Sequence, residues 1–255
     1  MMWHSILSKL NPESILAWHC RLCRLPLSSG QQLWCDNCRR HIEQLHYCQR
    51  CGATLTQSAS ASASASTLTC GRCLVSPPPW HHFYRLGLHQ FPLKQVVHQF
   101  KFQRQFYLAA PLAQWLAQQI KQPAPVLLPV PLHRYRLWQR GFNQSTLLAW
   151  SLAEALNSEC LSHGFIRTRH TPPQKKLKRS ERQQNLKGAF QLQAKQLPPH
   201  VALVDDVVTT GSTLKELISL LPSHIEQIDV YALSYTPVTQ FQVSPRKSDK
   251  TGVKS

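Results

Sequence analysis

Acidic residues are scarce in this chain. Against 29 Lys plus Arg there are 12 Asp plus Glu in 255 residues, a formal charge of +17. Such a balance favours polyanionic partners: nucleic acid, nucleotides or an acidic membrane surface. Long apolar runs are also missing, and no stretch reaches the roughly 18 apolar residues that a spanning helix needs. The N-terminal residues are apolar in part but are broken by Lys9, Asn11, Pro12 and Glu13 and lack a small-residue cleavage site, which argues against a secretion signal. Residues 1–18 are expected to form a short amphipathic helix leaning on the rest of the protein, with a transient membrane contact as the alternative. The expected location is cytoplasmic. The length suits one or two domains with room for a real core.

Cysteine is abundant and ordered. Eight of the nine cysteines form Cys-x-x-Cys pairs: Cys20/Cys23, Cys35/Cys38, Cys48/Cys51 and Cys70/Cys73. At this spacing two thiolates on one tight turn bind the same metal, and two turns complete a tetrahedron. Two structural zinc ions are expected, in the natural sequential grouping one held by Cys20, Cys23, Cys35 and Cys38 and the other by Cys48, Cys51, Cys70 and Cys73; an interleaved pairing of turns is the alternative that the spacing leaves open. Disulfides would need an oxidising compartment for which there is no signal. A redox role would need thioredoxin-like elements around the pairs, and these are absent. Cys160 stands outside the pairs as a small core or surface residue.

Between the last two pairs, the Ser/Ala repeat over 58–66 has nothing large to bury and reads as a flexible excursion. The stiff run Ser76-Pro77-Pro78-Pro79 marks a boundary, after which His81 and His82 are expected to be linker residues beside Trp80 rather than metal ligands. Phe83 to Leu88 alternates as a strand does. Pro92 opens an amphipathic stretch through Val96, Val97, Phe100, Phe102, Phe106 and Leu108, followed by a helix from Pro111 to about Ile120. Lys94, Lys101 and Arg104 are interleaved with Phe100, Phe102, Phe106 and Tyr107. That mixture suits single-stranded nucleic acid, but helical spacing favours core for these aromatics.

Val126 to Pro131 reads as a buried strand running into a basic turn over 132–144, with a helix from Ser145 to about Asn157. Strand, basic loop and helix in this order suit an anion site on a sheet edge. Phe165-Ile166-Arg167 is a short strand. Residues 168–187 carry seven basic residues against Glu181, either a solvated face or a mobile lid over phosphates. Ile228 to Ser234 is the last strand, and the polar tail over 236–255 is expected to be disordered.

The run Val201-Ala202-Leu203-Val204-Asp205-Asp206-Val207-Val208-Thr209-Thr210-Gly211-Ser212-Thr213 carries the sharpest chemistry. An apolar strand ends in two carboxylates and passes through a hydroxyl-rich turn before a helical pattern at Leu214, Leu217, Ile218 and Leu221. Gly211 lets backbone approach an anion closely, and Thr209, Thr210, Ser212 and Thr213 offer hydroxyl donors. Asp205 and Asp206 are placed to accept from a diol. A phosphate beside a diol describes a ribose 5-phosphate; capping of the next helix is the plainer alternative. This stretch resembles the ribosyl-phosphate motif of type I phosphoribosyltransferases, in which the acids hold the ribose, the turn holds the 5-phosphate and magnesium carries the diphosphate.

Taken in order, the cysteine pairs, Val130-Pro131-Leu132, Arg140-Gly141-Phe142-Asn143-Gln144, Thr171-Pro172-Pro173-Gln174, Leu177, Arg182, Asn185, Gly188-Ala189-Phe190 and the acid-pair motif resemble the ComF/GntX family. The resemblance implies an α/β fold: a double zinc ribbon over 19–76, then a phosphoribosyltransferase-like domain over 80–235 with a mostly parallel sheet flanked by helices. It implies phosphoribosyl pyrophosphate or a nucleotide as ligand, held with Mg2+ by Asp205, Asp206 and the turn Thr209 to Thr213. Arg140, supported by Asn143 and Gln144, would line the pyrophosphate side, and Gln174, Lys176 and Arg182 would sit on a closing loop. It also implies a bacterial cytosolic setting in competence, DNA uptake or DNA utilisation, with DNA-import proteins as partners. One departure matters. The tail beyond Leu233 is too polar to build a nucleobase hood, so either the ribbon supplies that wall or no free base is read. Two functions therefore compete: ribose 5-phosphate transfer through Asp205, Asp206 and Arg140, or single-stranded DNA binding on a retained fold.

Overall fold

Apolar runs rich in Val, Leu and Ile build the centre of the protein. The computed structural model describes residues 19–28, 33–43, 46–55, 68–169 and 187–237. The expected N-terminal helix, the Ser/Ala insert, the expected closing loop with Gln174, Lys176 and Arg182, and the tail beyond 237 lie outside them. Seven strands are present among the described residues: β1 (His82–Leu88), β2 (Val126–Pro129), β3 (Glu159–Cys160), β4 (Phe165–Arg167), β5 (Phe190–Leu192), β6 (His200–Val208) and β7 (Gln227–Tyr235). Five form one sheet in the order β1-β7-β6-β2-β3. Every pairing in it is parallel, as the expected α/β architecture requires. β4 and β5 form a separate antiparallel pair that stands apart from the main sheet.

Both faces of the sheet are covered, which is why β6 and β7 are almost continuously apolar. On one face lie α3 (Leu93–Phe102), α4 (Ala109–Ala117) and α6 (Gln144–Leu156), preceded in the chain by α1 (Asp36–Glu43) and α2 (Gly71–Val75) from the cysteine-rich segment. Leu93, Val96, Val97 and Phe100 form the buried stripe of α3. The opposite face is filled by Trp80, Phe83, Phe165, Phe190 and Leu203, with Leu214 and Leu217 of α7 (Ser212–Ile218).

Three sequence expectations are corrected. The basic stretch after β2 contains a helix, α5 (Arg134–Arg140), because His133 Nδ1 accepts the Tyr135 N–H at its start and Gly141, at φ 81°, ends it in the left-handed region. Of the four aromatics assigned to core, only Phe100 is buried; Phe102 is exposed because it falls off the buried stripe of α3, and Phe106 and Tyr107 are exposed because the chain leaves the helix and turns outward through Arg104 at φ 53°. His81 and His82 are not linker residues. His82 opens β1 and its Nδ1 meets the buried Asp229 at 2.9 Å, His200 Nε2 meets the other Asp229 oxygen at 2.9 Å, and His81 Nδ1 accepts the Ile228 N–H. Asp229 thus joins three adjacent strands at their N-terminal ends, opposite the edge where the acid pair lies.

Candidate functional site

The cysteine-rich segment is built from two knuckles with one backbone plan. The Cys20 N–H donates to Leu25 O at 2.8 Å and Arg24 N–H to Cys20 O at 2.9 Å; the Cys48 N–H donates to Ala53 O and Gly52 N–H to Cys48 O, both at 2.8 Å. In each, the residue after the second cysteine takes the left-handed conformation, Arg24 at φ 64° and Gly52 at φ 77°. The second position needs glycine, since a Cβ there would stand 2.6 Å from the Phe83 ring.

The knuckles bring the cysteines together in sequential groups, and in each group the four sulfurs lie within 4.8 Å of one another. All nine cysteines are free. The Cys23–Cys35 and Cys51–Cys70 sulfurs are 3.6 and 3.7 Å apart. Two thiolates on one tetrahedral zinc with bonds of about 2.3 Å would stand roughly 3.8 Å apart, so both clusters fit the ion and neither fits a disulfide. The first cluster is tied to the main core through Cys20, Leu22, Trp34 and Ile42, with Trp34 5.3 Å from Trp115 of α4. The second sits beside β1, where the Phe83 N–H donates to Gln49 O at 2.6 Å and the Trp80 indole N–H donates to Arg50 O.

At the carboxyl ends of β2 and β6 the structure gathers several of the expected site residues. Asp205 Oδ1 accepts from Ser145 Oγ at 3.1 Å and from the Asp206 N–H at 2.9 Å. Asp206 is buried and pairs with Lys101 Nζ at 2.8 Å. Arg140 Nη1 donates to Gln144 Oε1 at 3.2 Å, and its guanidinium lies 4.9 Å from the centre of the Phe102 ring. Burial lowers the Arg140 pKa and the Asp206 charge pulls it back up, so the two groups share one electrostatic environment. Asn143 caps α6 through the Ser145 N–H and donates to Val130 O at 3.0 Å; Gln144 is buried and donates to Lys101 O at 3.3 Å. Both hold Arg140 and the strand end in place. In the turn, Thr210 Oγ1 and Ser212 Oγ are hydrogen bonded at 2.6 Å, Thr209 is exposed and Thr213 half-buried. Gly211, at φ 70°, rests on Trp80: a Cβ would stand 2.8 Å from the indole.

Competence protein F of Haemophilus influenzae is 36% identical to this chain over 230 residues, which cover 85% of the chain and 96% of that protein. The chain belongs to the ComF family. DNA utilization protein YhgH of Salmonella typhimurium is 39% identical over 211 residues, covering 79% of this ComF-family chain and 89% of the relative. Its Escherichia coli namesake is 38% identical over the same length. No family profile matches the chain.

Two residues of the cluster escape a reading of local motifs: Lys101 and Ser145, each far in sequence from the carboxylate it meets. For Lys101 there is one signal. It follows Leu93 and Val97 at helical spacing, so a cation falls on the buried stripe of α3. A wall also stands beside the sheet without any help from the tail: β4, with α5, α6 and the loop after β3, lines a cleft of about 800 Å³ that includes His133, Phe142, Asn143, Trp150, His163 and Arg167. Of the expected site residues that are described, only Asn143 reaches it.

The acid pair has a consequence for stability. Burial, followed by the neighbouring Asp206 charge, pushes the Asp205 carboxyl up to about 8, against the downward pull of Lys101, the Asp206 amide and Ser145. The unfolded value is about 3.9, so between about pH 4 and 8 the folded chain holds a proton that the unfolded chain has released, and stability falls as pH rises through that window. Asp205→Asn cannot titrate. Its melting temperature is expected to drop less than that of the wild type between pH 5 and pH 9; parallel profiles would show that Asp205 carries no such proton.

Proposed function

We propose that this ComF-family protein binds phosphoribosyl pyrophosphate, or the ribose 5-phosphate of a nucleotide, at the carboxyl edge of β6, and that it acts in competence, DNA uptake or DNA utilisation in the cytoplasm. The observation that carries the reading is the meeting of Asp205 and Asp206 with Lys101 and Arg140 beside the Thr209–Thr213 turn. In this reading the turn takes the 5-phosphate and the acids exchange Ser145 and Lys101 for the ribose hydroxyls. Arg140 faces the pyrophosphate, and Gln174, Lys176 and Arg182 close over it. Bound Mg2+ would supply charge neutralisation for the diphosphate, and with Arg140 that is the main requirement for a phosphoribosyl transfer whose leaving group is already good. The relatives' names, a competence protein and DNA utilization proteins, support the cellular setting and DNA-import proteins as partners. The free cysteines fit a reducing compartment, and no helix among the described residues is long and apolar enough to cross a membrane.

One observation favours a second reading, single-stranded DNA binding. Phe102, Phe106, Tyr107 and Trp138 are exposed, Arg140 stacks on Phe102, and Arg21 lies 5.3 Å from the Tyr107 ring centre. Interleaved cations and exposed rings are what unstacked bases and their phosphates recognise. Isothermal titration separates the readings. Heat with phosphoribosyl pyrophosphate and Mg2+ that disappears in Asp205→Asn/Asp206→Asn supports the first, and no heat in the wild type rejects it. Single-stranded DNA binding whose log–log salt slope is about −0.7 per neutralised phosphate, weakened by Phe102→Ala, supports the second; binding indifferent to salt rejects it.

A further inference from the structure

Arg85 heads the fully buried side chains in size, at 1% exposure, on the strand that runs beneath the second knuckle. Its Nε donates to Gly52 O at 2.9 Å, and its guanidinium lies 4.3 Å from the Tyr47 ring centre. Nη2 is buried without a hydrogen-bond partner, and among the described residues no carboxylate pairs with this cation. A buried charge left uncompensated is strongly destabilising, so an anion is required nearby.

The contacts say where it is. Tyr47 immediately precedes Cys48 and Gly52 immediately follows Cys51, so Arg85 grips the two residues that bracket one half of the second cysteine cluster. Four thiolates around one divalent ion leave a net charge of about −2, and the fit of Cys48, Cys51, Cys70 and Cys73 to zinc places that charge against β1. None of these four cysteines is exposed, whereas Cys23 of the first cluster is open to water, which can screen it. We infer that Arg85 is the internal counter-charge of the second metal centre, a positioning residue that holds the Cys48–Cys51 knuckle on β1 while balancing its thiolates.

The test uses the full-length, zinc-loaded protein and the release of metal to a chromophoric chelator. Partners outside a metal's ligand shell typically change affinity by about 10- to 100-fold. Arg85→Gln is expected to release one of its two zinc equivalents about that much faster, and Arg85→Lys, which keeps the charge, to release it more slowly than Arg85→Gln. In a Cys51→Ser parent holding only the first ion, Arg85→Gln should leave release unchanged. Thermal unfolding gives a second readout that a packing role would not move: Arg85→Met destabilises the loaded wild type but is neutral or stabilising in the Cys51→Ser parent, where the counter-charge is gone. Equal release by Arg85→Gln and wild type, acceleration of both equivalents, or the same sign of Arg85→Met in both parents would overturn the assignment. Should Arg85→Gln not fold, release of the second zinc from Arg85→Lys as fast as from Cys51→Ser would overturn it too.

Discussion

Serine at Cys48 or Cys70 is expected to release the second zinc and to loosen the Thr209–Thr213 turn, whereas serine at Cys23 leaves the turn ordered. The path runs through contacts in series. The second knuckle grips β1 by the Phe83 N–H on Gln49 O and the Arg85 guanidinium on Gly52 O, and it grips Trp80 by the indole N–H on Arg50 O. Trp80 is in turn the floor on which Gly211 rests, at a separation that leaves no space for a Cβ. A structural zinc contributes on the order of 10 kcal/mol to a segment this poor in core, comparable to the whole stability of a typical domain of about 5–15 kcal/mol. Residues 46–55 and 68–75 should therefore become sensitive to protease, and amide exchange over 209–213 should rise at least about tenfold, equivalent to about 1.4 kcal/mol of lost local protection. The first centre sits on the other side of the fold, with Trp34 against Trp115, so Cys23→Ser should raise exchange in α4 instead. Unchanged exchange over 209–213 after loss of the second zinc would refute the path.

What was legible in the sequence, and what was not, divides along the range of the interactions involved. Cysteine spacing foretold the two sequential clusters because each knuckle closes within a few residues. The apolar runs foretold β2, β6 and β7 because strands buried on both faces need no partner to be recognised, and alternation foretold β1. The register of Lys101 against Asp206 and of Ser145 against Asp205 depends on how α3 and α6 pack onto the sheet, and no local pattern carries it. The aromatics misled for a related reason. Helical spacing places Phe100 correctly, but Phe102, two residues on, falls on the opposite side of the last turn, and Phe106 and Tyr107 lie beyond the helix end, which is set by the backbone at Gln103 and Arg104 rather than by composition. The short strands β3 and β5 have too few residues to show a period at all.

Removing the amine of Lys101 is the second change with a large expected effect. The Lys101 and Asp206 side chains are 19% and 10% exposed, so their ion pair is screened far less than a surface pair. Lys101→Met keeps most of the aliphatic stem on the buried stripe of α3 but leaves Asp206 without its cation, beside Asp205, which burial has already made reluctant to ionise. Breaking a buried pair from one side typically costs about 3–5 kcal/mol, and replacing both members by neutral groups costs much less. Urea unfolding should therefore show a large loss for Lys101→Met and recovery of most of it in Lys101→Met/Asp206→Asn. Arg140 sharpens the expectation, since its charge is the other one facing Asp206: if Arg140 alone can compensate the carboxylate, the single variant will lose less than about 1 kcal/mol, the range of a surface pair. That result would place the working cation of the acid pair on α5 rather than α3.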